Sequence, residues 1–177
     1  SLNWYWAAFS DPQMLKGLEL SLSVAVASVL ISLVIGTLGA LYLARPDARG
    51  RGYLSAFFLA PLSVPTVMTA FALLLTFTNW GLISRLGLIV AHVVLTVPYV
   101  IRTVLVSLTG LDPSLGRAAS ILGANRWNTF RLVTLPLIKP GVIAGGVFGF
   151  LVSFNNVTIS VFIASPGSST LPVVLFN

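Results

Sequence analysis

Apolar residues fill this chain in blocks, and the polar ones gather between the blocks instead of alternating within them. No charged residue occurs from Leu20 to Ala44. Because about 20 apolar residues carry a helix across the hydrocarbon core of a bilayer, the block predicts a membrane span over 20–44. Asp47, Arg49 and Arg51 interrupt the pattern, and the next uncharged block runs from Tyr53 to Ser84. That is longer than one crossing needs, and the cluster Asn79-Trp80-Gly81 offers an exit, which sets the second span at 54–78. A third is expected over 86–108, holding His92 and Arg102 and bent at Pro98, since proline lacks a backbone donor and clashes with the preceding turn. A fourth falls at 141–164, uncharged throughout. Between the third and fourth lies a polar stretch, 110–139, with Arg117, Arg126, Arg131 and Lys139. The tail, SPGSSTLPVVLFN, is turn-rich first and apolar after, and reads as the approach to a further span.

Composition agrees with the blocks. Hydrophobic residues make up 56% of the chain and charged ones 8%, and the mean hydropathy of +0.99 exceeds what a soluble core needs, so the class is an all-α membrane protein. Cysteine is absent, which excludes a disulfide framework and any thiolate metal site. The net charge of +6 does not point to nucleic acid, because the cations flank apolar spans instead of sharing a soluble face with stacking aromatics. Their placement orients the chain, since short cytoplasmic loops carry the excess of Lys and Arg. Arg45, Arg49 and Arg51 mark one cytoplasmic loop; Arg117, Arg126, Arg131 and Lys139 mark another, with Arg102 near the end that leads into it. Lys16 and Arg85 are left for the outer side, with Trp4, Tyr5, Trp6 and Trp80 as interfacial aromatics, and residues 1–16 and 165–177 fall outside. No leader with a charged start and a cleavage site precedes the blocks, and the first residue is Ser1, so the expectation is a piece of a longer chain.

Chemistry inside the spans is sparse. Gly141, Gly145 and Gly149 repeat every four residues and line one helical face with hydrogen, which suits a close bundle contact within one subunit better than a subunit interface. Pro61 and Pro65 read as kinks. His92, the one histidine, has no carboxylate or cysteine partner in the pattern and reads as a packed or hydrogen-bonded residue, not a metal ligand; Arg102 snorkels to the cytoplasmic interface. None of the four expected spans contains Asp or Glu, the groups on which proton-coupled pumps depend. No catalytic nucleophile with its base, no phosphate-cradling glycine loop and no metal cluster can be assembled, so neither catalysis nor ATP binding is expected of this chain.

The polar stretch opens with LDPSLGRAASILGAN. Asp112 is a good N-cap, Pro113 a good first helical residue and Gly123 a stop, which predicts a helix of about three turns. Leu115, Ala118, Ala119 and Leu122 then share one apolar face at i, i+3, i+4 and i+7, while Gly116, Arg117 and Ser120 face away. Such a helix either docks in a partner's groove or lies on lipid headgroups, and the residues alone favour neither.

A longer pattern tilts the balance toward docking. Ala118-Ala119, three residues, Gly123, nine residues, Val133, one residue, Leu135-Pro136 resembles the EAA loop in the membrane subunits of binding-protein-dependent ABC importers. The stretches GLIVAHVVLTVPYVIRTV and SFNNVTISVFIASPGSSTLPVVLFN, with FSDP near the start, resemble the permeases of the spermidine and putrescine group. The resemblance implies a type I permease-like helical bundle in the bacterial inner membrane, about four spans and a coupling helix being present, and the first and last of the usual six missing. It also implies a transport subunit and not an enzyme, with no cofactor of its own. ATP would be used by a separate cytoplasmic ATP-binding subunit, and a second permease subunit, identical or homologous, and an extracytoplasmic solute-binding protein would complete the assembly. Leu115, Arg117, Ala118, Ala119, Leu122 and Gly123 would meet the ATPase, and Leu135 and Pro136 would end the loop at the membrane. Two departures stand out. Arg117 occupies the place of the family's acid before the two alanines, and Asn155 and Asn156 stand where polyamine permeases commonly carry acids. These two amides are candidates for the translocation path or for interhelical hydrogen bonds, and they cannot neutralise a cationic solute. An ATPase-independent secondary transporter or channel is the alternative reading; the missing membrane carboxylates and the EAA-like loop speak against it.

Overall fold

The computed structural model describes residues 10–164 and 169–176, and every regular element among them is helical. Trp4, Tyr5 and Trp6, and residues 165–168 of the tail, lie outside the described residues. The first helix, α1 (Pro12–Leu43), starts well before the expected Leu20 because a cap is written ahead of it: Asp11 accepts the Gln13 N–H at 2.8 Å, and Pro12 follows at the first helical position. Lys16 and Glu19 are therefore exposed residues on the early turns of this helix, ahead of the expected span 20–44, which itself holds no acid. At about 1.5 Å per residue the helix outruns a core of about 30 Å, so these first turns need not enter hydrocarbon.

The block expected to cross at 54–78 is two helices, α2 (Arg51–Ser63) and α3 (Thr66–Trp80), bent by 108° at the break. Pro65 sets the bend. A residue before proline is driven out of the helical region, and Val64 is extended at φ −98°, ψ 133°. Pro61 is absorbed near the end of α2. Gly81 stops α3 in the left-handed conformation (φ +66°), with the Leu82 N–H donating to the Phe77 carbonyl at 2.8 Å. Helix α4 (Arg85–Thr109) is started by Ser84 and continues through Pro98.

Beyond it come α5 (Ser114–Ile121), α6 (Arg126–Thr129), a π-helical turn (Phe130–Thr134) and α7 (Leu135–Phe154). The helical path from Arg126 to Phe154 is continuous, so the helix that carries the last candidate span begins and ends earlier than residues 141–164. Its π turn ends two residues before Pro136, where a regular ladder would lose a donor. Short helices α8 (Thr158–Ile163) and α9 (Leu171–Phe176) follow. Among the described residues three helices are long and apolar enough to cross a membrane, or four if the bent pair counts as one.

Helices α1, α4 and α7 pack on one another and form the centre. Between helices in lipid, contact and not water exclusion drives association, so backbones must approach closely. A Cβ at Gly36 would sit 2.7 Å from the Val100 Cβ, and one at Gly145 would sit 2.6 Å from Thr103 Oγ1 and 3.0 Å from the Val100 Cα. At Gly141 it would strike the Ser107 hydroxyl. The glycine stripe thus seats α7 on α4 within one chain. Around this centre, Ala70 and Phe77 of α3 join Leu88 and Ala91 of α4 and Ile159 and Ile163 of α8 in a second cluster. Helix α9 leans on the start of α1, where the Leu171 N–H donates to Ser21 Oγ at 2.8 Å.

Candidate functional site

Helix α5 is fixed at both ends by its own sequence. Asp112 Oδ1 accepts the Ser114 N–H at 2.8 Å, the N-cap bond to the second helical position, and Pro113 between them already has helical dihedrals. The Ser114 backbone N–H, then its side chain, and then Arg117 hold the Asp112 carboxyl below its usual range. At the other end Gly123 takes φ +83°, its N–H donates to the Ser120 carbonyl at 3.0 Å, and the Ala124 N–H reaches back to Ala119 at 3.0 Å. This pair of bonds is the Schellman arrangement, which needs a residue that tolerates the left-handed region.

The expected apolar face is divided by the structure. Ala119 is turned inward, 9% exposed, whereas Leu115 and Ala118 are exposed and Leu122 is 86% exposed. Ile121, which the sequence pattern left out, is 85% exposed beside Leu122. Its position three residues after Ala118 was the available signal. Arg117 is exposed, and Gly116 is half-buried with open space around its α-carbon. Leu135 and Pro136 are exposed on the opening turn of α7, inside a helix and not at the end of a loop.

Most of the cations sit at this end. Arg45, from the end of α1, lines a cavity with Ser120, Asn125 and Arg126, and Arg51 and Arg102 line another together. The opposite end presents Lys16, Glu19 and Arg85 around a cavity of about 550 Å³ bordered by Ser169 and Val174.

Among the described residues the side-chain bonds of Asn155 and Asn156 are local, and neither bridges packed helices. The Asn155 Nδ2 donates to the Leu151 carbonyl at 3.1 Å, closing α7, and Asn156 Oδ1 accepts the Ile159 N–H at 2.7 Å, opening α8. They stabilise a break in the helical path, with Asn155 exposed and Asn156 half-buried. Amides suit this place because they donate and accept at once.

A polar seam that sequence reasoning missed runs through the centre. His92, 1% exposed, meets Ser153 Oγ through Nδ1 at 2.7 Å; Ser32 Oγ and Thr96 Oγ1 are 2.6 Å apart; Ser28 Oγ donates to the Ile89 carbonyl at 3.1 Å. His92 is thus hydrogen-bonded, as its lone position in the sequence suggested. Its Nε2 is buried with no partner among the described residues. The signal for the seam was Ser21, Ser28 and Ser32, one face of α1 at spacings of seven and four.

This helical bundle has counterparts. A family model described as "Binding-protein-dependent transport system inner membrane component" matches residues 29–176. The chain belongs to that family. It is therefore a multi-pass inner-membrane protein of a transport family. The chain is 32% identical over 185 residues to the putrescine transport system permease protein PotI of Escherichia coli K12, covering 100% of this chain and 66% of that one. It is 31% identical over 175 residues to the spermidine/putrescine transport system permease protein PotC of the same strain, covering 98% and 66%. The chain thus spans 66% of the length of these relatives. Among solved structures, one titled "Crystal structure of an amino acid ABC transporter with histidines" superposes with a TM-score of 0.70 at 18% identity, covering 92% of this chain and 76% of that one, a likeness of fold.

Proposed function

We propose that the chain contributes the translocation path of an ATP-driven importer for a small solute, polyamine-like or a related small organic compound, and that α5 couples it to a separate cytoplasmic ATPase. The carrying observation is α5 itself: capped at Asp112 and Gly123, anchored inward through Ala119, and presenting Leu115, Ala118, Ile121 and Leu122 outward beside Arg117. An apolar helical ridge fixed at both ends fits a groove in a partner and can transmit its movement. ATP is bound and hydrolysed by that partner, and this chain carries no cofactor. A second permease subunit and an extracytoplasmic solute-binding protein complete the path, and the cationic end faces the cytoplasm. Membership of a binding-protein-dependent family favours this reading over an ATPase-independent transporter or channel.

Asn155 and Asn156 stand beside the path as the caps of a helical break, where exposed backbone and amide groups can meet a solute. The named relatives supply the polyamine suggestion, and the neutral amides widen it to solutes that need no carboxylate. Co-purification tests the coupling. With the full-length protein and its ATPase, Leu122→Asp is expected to abolish capture and solute-stimulated ATP hydrolysis. Gly123→Val is expected to weaken both through backbone strain of about 1–3 kcal/mol, since its α-carbon has no neighbour to clash with. Gly116→Ala, in open space and ordinary helix, serves as the silent control. Arg117→Glu is expected to alter ATPase coupling. Full capture and uptake by the Leu122 and Gly123 variants would remove α5 from the coupling role.

A further inference from the structure

The cavity between the end of α1 and the α5–α6 turn holds about 680 Å³ and is two-sided in character. Arg45 and Arg126 line it together with Ser120, Asn125, Thr129 and Thr134, while Leu38, Leu41, Trp127 and Phe130 supply apolar wall. Among the described residues no Asp or Glu lines it, unlike the cavity at the other end, where Glu19 stands beside Lys16 and Arg85. Both guanidiniums are exposed and have no carboxylate beside them in the lining, which leaves them free to hold an anion from outside the chain. Asn125 Oδ1 is already engaged by the Asn128 N–H at 2.8 Å, so its amide donors are what remain for a ligand, and they too suit oxygen.

The apolar side continues beyond the cavity. Leu38 is 61% exposed, and Val34 and Leu30 follow it at steps of four along the same exposed face of α1, a track leading away from the cationic end. Trp127, 64% exposed and tilted against Phe130 with ring centroids 5.8 Å apart, stands at the mouth, the amphipathic kind of ring that settles at a membrane interface. A free phosphate would use the arginines and leave the track idle; an uncharged apolar molecule would do the reverse.

We propose that this cavity binds an anionic phospholipid, its phosphate held by Arg45 and Arg126 and an acyl chain lying along Leu38, Val34 and Leu30. The inference requires that the chain lie in a membrane and does not depend on the coupling role of α5. Lipid bound there would tie the end of α1 to the turn that follows α5.

Tryptophan quenching by brominated phospholipid tests it. The full-length protein is reconstituted in phosphatidylcholine vesicles containing phosphatidylglycerol, with bromines placed on the acyl chains of one lipid or the other, and the Trp127 signal is taken as the difference from a Trp127→Phe variant. Brominated phosphatidylglycerol is expected to quench Trp127 more strongly than brominated phosphatidylcholine at equal content. Arg45→Gln with Arg126→Gln is expected to abolish the preference, each guanidinium contributing roughly fivefold in affinity for an anionic headgroup. Arg45→Lys with Arg126→Lys keeps the charge and is expected to retain a reduced preference. Arg49→Gln with Arg131→Gln removes the same charge from outside the cavity and is expected to leave the preference intact. Equal quenching by the two lipids, or an equal loss in the Arg49 and Arg131 variant, would overturn the site. Competition by inorganic phosphate would reassign it to a soluble anion, and loss of quenching on adding the ATPase would reassign it to protein; either result refutes the lipid.

Discussion

Ser153 is a small residue with a large consequence, because it is what stands between His92 and an imidazole with neither nitrogen paired. The ring is buried between α4 and α7, and its Nε2 already lacks a partner among the described residues, so the 2.7 Å contact at Nδ1 carries the polar satisfaction of the ring. Ser153→Ala removes it and is expected to cost about 1–3 kcal/mol, the penalty of leaving a buried polar group unmade. Thermal unfolding in detergent measures this, and an unchanged midpoint would mean that the hydroxyl contributes nothing. Asp112 makes a different kind of contribution, at the surface. Its folded carboxyl is held below the ordinary range by Ser114 and Arg117, so the stabilisation it gives α5 is present above the unfolded value and is lost as pH falls through the lowered folded one. Hydrogen exchange of the first α5 amides, taken relative to the intrinsic rate at each pH, should accordingly be steady from neutral pH down into the ordinary carboxylate range and rise only below it. Asp112→Asn, which caps without titrating, should abolish that rise. A rise that persists in the asparagine variant would place its origin in another group.

At the level of elements, spacing between helices separates glycines that matter from glycines that do not. Gly145 and Gly146 are neighbours in sequence, yet a Cβ at Gly145 would press to 3.0 Å from the Val100 backbone, while one at Gly146 would meet only the Leu33 side chain at an ordinary 3.6 Å. Gly145→Ala is therefore expected to destabilise by about 1–3 kcal/mol through overpacking, and Gly146→Ala to be close to neutral, read from the unfolding midpoints of the two variants. If both were neutral, α7 would not be seated on α4 as closely as described. The four-residue repeat made this contact legible in the sequence, and the caps at Asp112 and Gly123 made α5 legible. Element ends were harder. Uncharged blocks locate hydrocarbon, whereas helices end where capping and prolines dictate, so α1 runs back to its Asp11-Pro12 cap and the block at 54–78 breaks at Pro65. Asn155 and Asn156 were visible as polar residues in an apolar block, but their use as caps depends on a break that hydropathy does not register. The inward turn of Ala119 likewise follows from how α5 meets the rest of the chain, which its own periodicity cannot specify.

For the whole molecule, the distribution of charge makes a claim that packing does not. Arg45, Arg51, Arg102, Arg117 and Arg126 gather toward one end of the bundle, and Lys16 and Arg85 lie with Glu19 at the other. Insertion reads this asymmetry, since short loops rich in Lys and Arg are retained on the cytoplasmic side. These 177 residues hold no cysteine, so a single one introduced here reports on one position once any cysteine outside them has been replaced. Gly52 and Gly116 sit where an added side chain meets nothing, and Trp80 is well exposed at the end of α3. In intact inner-membrane vesicles of cytoplasm-out orientation, Gly52→Cys and Gly116→Cys are expected to react with a membrane-impermeant maleimide, and Trp80→Cys only after the vesicles are opened. In spheroplasts the pattern should reverse. Labelling of Gly116→Cys from the periplasmic side would turn the chain over, carry α5 away from any cytoplasmic partner and refute the coupling role, while leaving the bundle of α1, α4 and α7 untouched.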